Sequence, residues 1–123
     1  YLAIRPGDWA DEAAWHAAAA RRKDERILFL LADTPTAEMP AAALDIFLDL
    51  DCPVWATASE IDIPGAPPLH FHRRLAECGV FLIEDLDPAA AGTVPDAGEL
   101  IALPLRLVGT SGAPCRVVVR VNG

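Results

Sequence analysis

LHFHRRLAECGVFLIED, residues 69–85, sets two histidines two apart on a helix-like stretch, then Gly79, then an apolar strand-like run that carries Glu84. Residues three and four apart share a helix face, so His72 lies with Leu75 and Ala76 while His70 lies with Arg73 and Arg74. His72 is expected to point inward and His70 outward. Gly79 suits the left-handed position just past a helix end, and beyond it the two-residue period of a strand puts Val80, Leu82 and Glu84 on one face. The helix climbs roughly 10 Å from His72 and the strand descends roughly 13 to 16 Å to Glu84, so a reversal at the glycine brings both groups to the same end. An ionised carboxylate in an apolar row costs on the order of several kcal/mol unless it is partnered. Two partnerships answer that need. One is a structural hydrogen bond or ion pair to His72 or an arginine; the other is a divalent metal shared by imidazole and carboxylate, a donor pair that suits Zn²⁺ or Mn²⁺.

The same helix-then-strand grammar extends upstream. Asp8–Asp24 (DWADEAAWHAAAARRKD) is alanine-rich, with acids in its first turns and bases in its last, and predicts one long helix. ERILFLLAD, residues 25–33, reads as a buried strand closed by the turn chemistry of DTPT. PAAALDIFLDL, residues 40–50, opens on a proline suited to a first helical position and gathers Leu44, Phe47 and Leu48 on one face. CPVWAT, residues 52–57, is the next strand, and the prolines and glycine of SEIDIPGAPP, residues 59–68, read as a loop. After residue 86 come a Pro/Ala/Gly-rich loop (87–98) and two strands, 99–107 and 115–121, joined by the hairpin-like GTSGAP. Helix, strand, helix, strand, helix, strand and a final strand pair make an α/β class: a single compact domain over 1–123 with a mixed, partly parallel sheet and packed helices.

The bulk composition narrows the functions. The chain has 123 residues, 53% hydrophobic and 23% charged, enough to bury a real core. Its net charge of −8 leaves no basic footprint beyond Arg21–Lys23, which is followed at once by Asp24 and Glu25, so nucleic acid is not expected as a partner. No apolar run reaches spanning length and no leader pattern stands at the start, so a soluble, cytoplasmic protein is expected, without a membrane partner. Cys52, Cys78 and Cys115 are odd in number and far apart, and read as buried free thiols. His16, beside Trp15 on the first helix, reads as a surface residue. The chain opens on Tyr1 rather than Met, as expected of a processed piece, a fragment or one half of something larger. No Ser-His-Asp or Cys-His arrangement is suggested by the spacing.

HRRLAECGVFLIEDL, then ELIALPLRLVG, then SGAPCRVVV, resembles the C-terminal half of the metal-dependent cyclase family, which includes bacterial kynurenine formamidase and isatin hydrolase. In that family a histidine opens this helix and a glutamate follows twelve residues on, the spacing of His72 and Glu84. ATASEID, residues 56–62, looks like an altered form of the family's Asp-Thr-Pro-Ser-x-Asp segment, with Ser59 and Asp62 on its serine and last aspartate. ILFLLAD, residues 27–33, falls where the family has a strand ending in arginine and threonine, which this chain lacks, and Ser111 replaces an aspartate near the end. The resemblance covers about the last hundred residues and implies a swivelling β/β/α fold. It also implies a metal site, zinc or manganese, with His72 and Glu84 as ligands, and Ser59, Asp62 and His70 behind them or beside a small-molecule substrate. The implied chemistry is hydrolysis of a formamide or cyclic amide by a metal-activated water, catalytic residues unassigned. The family's remaining ligands and catalytic histidine lie in a segment of the form His-x-Gly-Thr-His-x-Asp-x-Pro-x-His, which does not occur in these 123 residues. Three expectations stay open: a complementary chain supplies that segment, the chain is part of a larger enzyme, or it is a non-catalytic relative serving in self-association or regulation. The family's habit of assembly, and the apolar sheet the missing half would leave uncovered, imply a homo-oligomer or a complementary chain.

Overall fold

The helix–glycine–strand unit forms as its sequence requires. In a computed structural model, which describes residues 1–121, α3 spans His70–Glu77 and β6 spans Phe81–Ile83. Gly79 sits at φ +69° and the reversal is a Schellman turn: the Val80 amide donates to Leu75 O at 2.9 Å and the Gly79 amide to Ala76 O at 3.1 Å. Val80 and Leu75 both join the helix-side core, which seals the turn from the apolar side.

Three further strands complete a parallel sheet in the order β1-β2-β4-β6: β1 (Leu2–Ile4), β2 (Ile27–Leu30) and β4 (Val54–Thr57). The order runs straight across the sheet, so right-handed crossovers leave every helix on one face. Accordingly α1 (Glu12–Ala19), α2 (Ala41–Leu48) and α3 all feed one core, with Ala18, Leu44, Phe47, Phe71 and Leu75 packed on Ile4, Leu28, Leu30 and Trp55. Trp55 is fully buried, and its indole N–H meets no acceptor among the described residues. The alternate strand residues Ala3, Phe29 and Ala56 face the other way, onto an antiparallel ribbon of β7 (Glu99–Pro104) and β8 (Cys115–Arg120). The result is an α/β domain in three layers: helices, parallel sheet and ribbon.

Two short strands escape any sequence signal. β3 (Thr36–Glu38) and β5 (Glu60–Asp62) pair in parallel, where turn and loop are expected. Each has three residues, too few to display a period, and the partner imposes the conformation. Ile61, with Met39 and Ile63 beside the pair, enters the helix-side core.

The long first helix is also corrected. A 3₁₀ turn covers Pro6–Trp9, and α1 begins only where Asp11 accepts a hydrogen bond from the Ala14 amide at 2.8 Å. Asp8 is unavailable as a cap because its carboxylate takes the Arg5 amide and the Arg21 guanidinium, each at 2.8 Å. The helix stops at Ala19, and Arg21 also donates to Ala3 O at 3.1 Å. Beyond it the Lys23 amide donates to Glu25 at 2.7 Å, which holds that carboxyl below its usual range. Of the cysteines, only Cys52 is buried, its thiol pushed up by desolvation; Cys115 is partly exposed and Cys78 exposed, because it occupies the C-cap of α3.

Candidate functional site

The carboxyl ends of the parallel strands β4 and β6 open beside the N-terminal turn of α3, the region of an α/β sheet where ligands ordinarily gather. There His72 Nε2 stands 2.8 Å from Glu84 Oε2. An ionised carboxylate can only accept, so the imidazole nitrogen carries the hydrogen. The helix rise, the Schellman turn and the strand descent together bring residues twelve apart into contact.

The environment of the pair differs from the sequence expectation. β6 ends at Ile83, so Glu84 lies one residue past the strand instead of within a buried row. Its side chain is 50% exposed and that of His72 38%. The buried positions of α3 are Phe71 and Leu75, with His72 on their flank, its ring edge-on to Phe71. His70 is half-buried rather than outward. Among the described residues no arginine pairs with Glu84: Arg74 is held by Asp45 at 3.0 Å and Glu77 at 3.1 Å, and those carboxylates raise its pKa.

Thr57, Ser59, Glu60, Ile61, Phe71 and Asp85 complete the walls of a pocket of about 170 Å³ around the pair. Ser59 is buried at the β4–β5 corner. Its hydroxyl is directed to the Thr34 carbonyl, its amide donates to Thr57 Oγ1 at 3.1 Å, and the Thr57 hydroxyl donates back to Ser59 O at 2.6 Å. Ser59 therefore shapes the pocket wall with its hydroxyl already committed to the backbone. Asp62 and His70 fall elsewhere: together they line a neighbouring groove of about 310 Å³ between β5 and the start of α3, alongside Pro67 and Pro68. Thus Ser59, His72 and Glu84 share one cavity, and Asp62 and His70 share the next.

Thr57, Glu60 and Asp85 are the polar lining residues that sequence reading missed, beside the apolar Ile61 and Phe71. The signal for Thr57 and Asp85 was available in position alone, since each lies at or just past the carboxyl end of a parallel strand. Glu60 depends on the β3–β5 pairing, which leaves no such trace. Three of the lining residues, Glu60, Glu84 and Asp85, are acidic and His72 is the one basic residue among those described, so the cavity favours cations over anions. As a metal site the donors are chemically suitable: imidazole and carboxylate are ordinary zinc and manganese ligands. Among the described residues, no group of three or more His, Cys, Asp or Glu is placed to hold an ion, so for a metal they would offer only this pair of the usual four donors.

Neither a family model, nor a curated protein, nor a solved structure matches this chain.

Proposed function

We propose that His72 and Glu84 are two ligands of a zinc or manganese site in a hydrolase of the cyclase type, acting on the C–N bond of a formamide or cyclic amide. The supporting observation is the 2.8 Å approach of His72 Nε2 to Glu84 Oε2 at the mouth of a pocket. Both side chains are half-exposed, so burial does not force the pairing, and a surface pair of this kind adds little stability. When bound, the metal would lower the pKa of a water and polarise the carbonyl under attack. This chain's own contribution is to fix the imidazole by its packing on Phe71, to hold the carboxylate at the end of β6, and to wall the cavity with Thr57 and Ile61. The missing donors would come from outside the described residues, from a complementary chain or a further segment. The free cysteines suit a reducing compartment, and we take the cytoplasm as its location.

A second reading has one specific observation in its favour, the lack of a third donor beside the pair among the described residues. On that reading the pair is an ion pair and the domain a non-catalytic module for self-association or regulation. Calorimetric titration with Zn²⁺ and with Mn²⁺ separates the two. With two donors in place the hydrolase reading requires one ion per chain in the wild type, held more weakly than in a complete site, with binding weakened at least about tenfold further by His72→Ala and by Glu84→Gln. Binding that is absent, or indifferent to both substitutions, sinks that reading and leaves the module.

A further inference from the structure

The outer edges of the short β3–β5 pair are left in different states. A strand edge carries the N–H and C=O groups that its ladder does not use. The ladder here takes the backbone of Glu60 and Asp62: the Glu60 amide donates to Pro35 O and the Met39 amide to Asp62 O, both at 2.9 Å. The N–H and C=O of Ile61 therefore face away from β3. On the β3 side the edge carbonyls are closed by side chains, the Trp9 indole donating to Glu38 O at 2.8 Å and the Thr34 hydroxyl to Thr36 O at 2.7 Å. On the β5 side nothing among the described residues bonds the Ile61 backbone, although the residue is only 6% exposed. That edge opens on the groove of about 310 Å³ before α3, whose facing wall holds Pro67 and Pro68, residues with no N–H to offer it. A buried strand edge without a partner is incomplete.

We propose that this groove receives an extended segment of another protein, added to β5 as an antiparallel third strand whose central residue donates to Ile61 O and accepts from its N–H. The carboxylates beside the edge select the segment. Side chains alternate along a strand, so Ile61 turns into the core while Glu60 and Asp62 stand outward with Glu38 of β3. All three acids are exposed, and none pairs with a cation among the described residues. The residues of an added strand that lie opposite Glu60 and Asp62 are therefore basic, and the one between them, on the side of Ile61, is apolar. A second copy of β5 would instead set Glu60 and Asp62 against the same two carboxylates, like charge on like. No basic–apolar–basic triplet occurs among the 123 residues, so this sequence does not supply the segment itself.

Fluorescence anisotropy of a labelled Thr-Lys-Val-Lys-Thr peptide, blocked at both ends, tests the site on the intact chain. The wild type should bind it with a Kd of about 100 µM or tighter, and Thr-Glu-Val-Glu-Thr at least about tenfold more weakly. N-methylation of the valine removes the N–H that Ile61 O would accept and keeps both lysines; it should weaken binding at least about tenfold. Glu60→Lys with Asp62→Lys should reverse the preference toward the acidic peptide, with an unchanged far-UV circular dichroism spectrum. Were that variant to misfold, the N-methylated peptide on the wild type decides alone. No binding at about 1 mM peptide overturns the proposal. So does binding that N-methylation leaves unmoved, which is charge attraction without strand pairing, or a preference that the folded lysine variant does not reverse.

Discussion

The parallel sheet and the β7–β8 ribbon both draw on apolar strand residues, ILFL in one and CRVVVR or ELIALP in the other, but the ribbon's outer face interleaves Glu99, Arg116 and Arg120 with Ile101, Leu103 and Val118. Their surroundings differ. Helices cover one face of the sheet and the ribbon covers the other, so Leu28, Phe29 and Leu30 are all buried. Among the described residues the ribbon is covered on its inner face alone, and β8 alternates between half-buried and exposed. For an apolar residue such as Leu103 or Val118, burial is therefore decided by how many layers lie against its strand and not by its own hydrophobicity.

The sharpest way to break that contrast is to cut into the covered side. Phe47 of α2 is fully buried in the helix-side core. Phe47→Ala should cost about 3 to 5 kcal/mol, because the removed ring leaves a cavity its neighbours fill only in part. Urea unfolding would measure it. A loss below about 1 kcal/mol would mean the helix layer is loose and the two regions are alike.

Next in size is the link between the regions. Arg5, one residue past β1, reaches the loop that leads into β7: its Nε bonds Asp96 at 3.1 Å, and its terminal nitrogens donate to Ala91 O at 3.0 Å and Val94 O at 2.7 Å. Ala91 and Val94 belong to the ribbon-side core. Arg5→Ala should cost about 2 kcal/mol by stranding carbonyls that a charged donor satisfies. Amide exchange should speed up in residues 88–104 and stay unchanged in β2 and β4. Uniform acceleration throughout would show that sheet and ribbon open as one unit.

Smaller still is the turn that builds the candidate site. A Cβ at Gly79 would meet nothing within 4 Å, so Gly79→Ala isolates the backbone cost of φ +69°. About 1 kcal/mol is expected. This turn also shows how much could be read in advance. Gly79 and the twelve-residue spacing were legible because a Schellman turn is a local event, and the meeting of His72 with Glu84 follows from local geometry on either side of it. β3 and β5 were illegible because three residues hold no period. The end of α1 was misplaced because a guanidinium contact, Arg21 to Asp8 and Ala3, competes with helical propensity and leaves no mark in an alanine-rich run. Glu84 was set too deep because a strand's last residue depends on its neighbour: β6 pairs with β4 only through Ile83. The grouping of Asp62 with His70, away from His72, likewise depends on where β5 lies in space.

The smallest effect belongs to the ribbon's outer face. Leu103→Asp, measured by urea unfolding, should change stability by less than about 0.5 kcal/mol. The side chain is 58% exposed and stands opposite Arg116, whose guanidinium can receive the new carboxylate. Directly opposite unlike charges on paired strands contribute roughly 0.2 to 1 kcal/mol, enough to offset the leucine's residual packing. A loss of several kcal/mol would place Leu103 in the fold's own core and erase the distinction between ribbon and sheet.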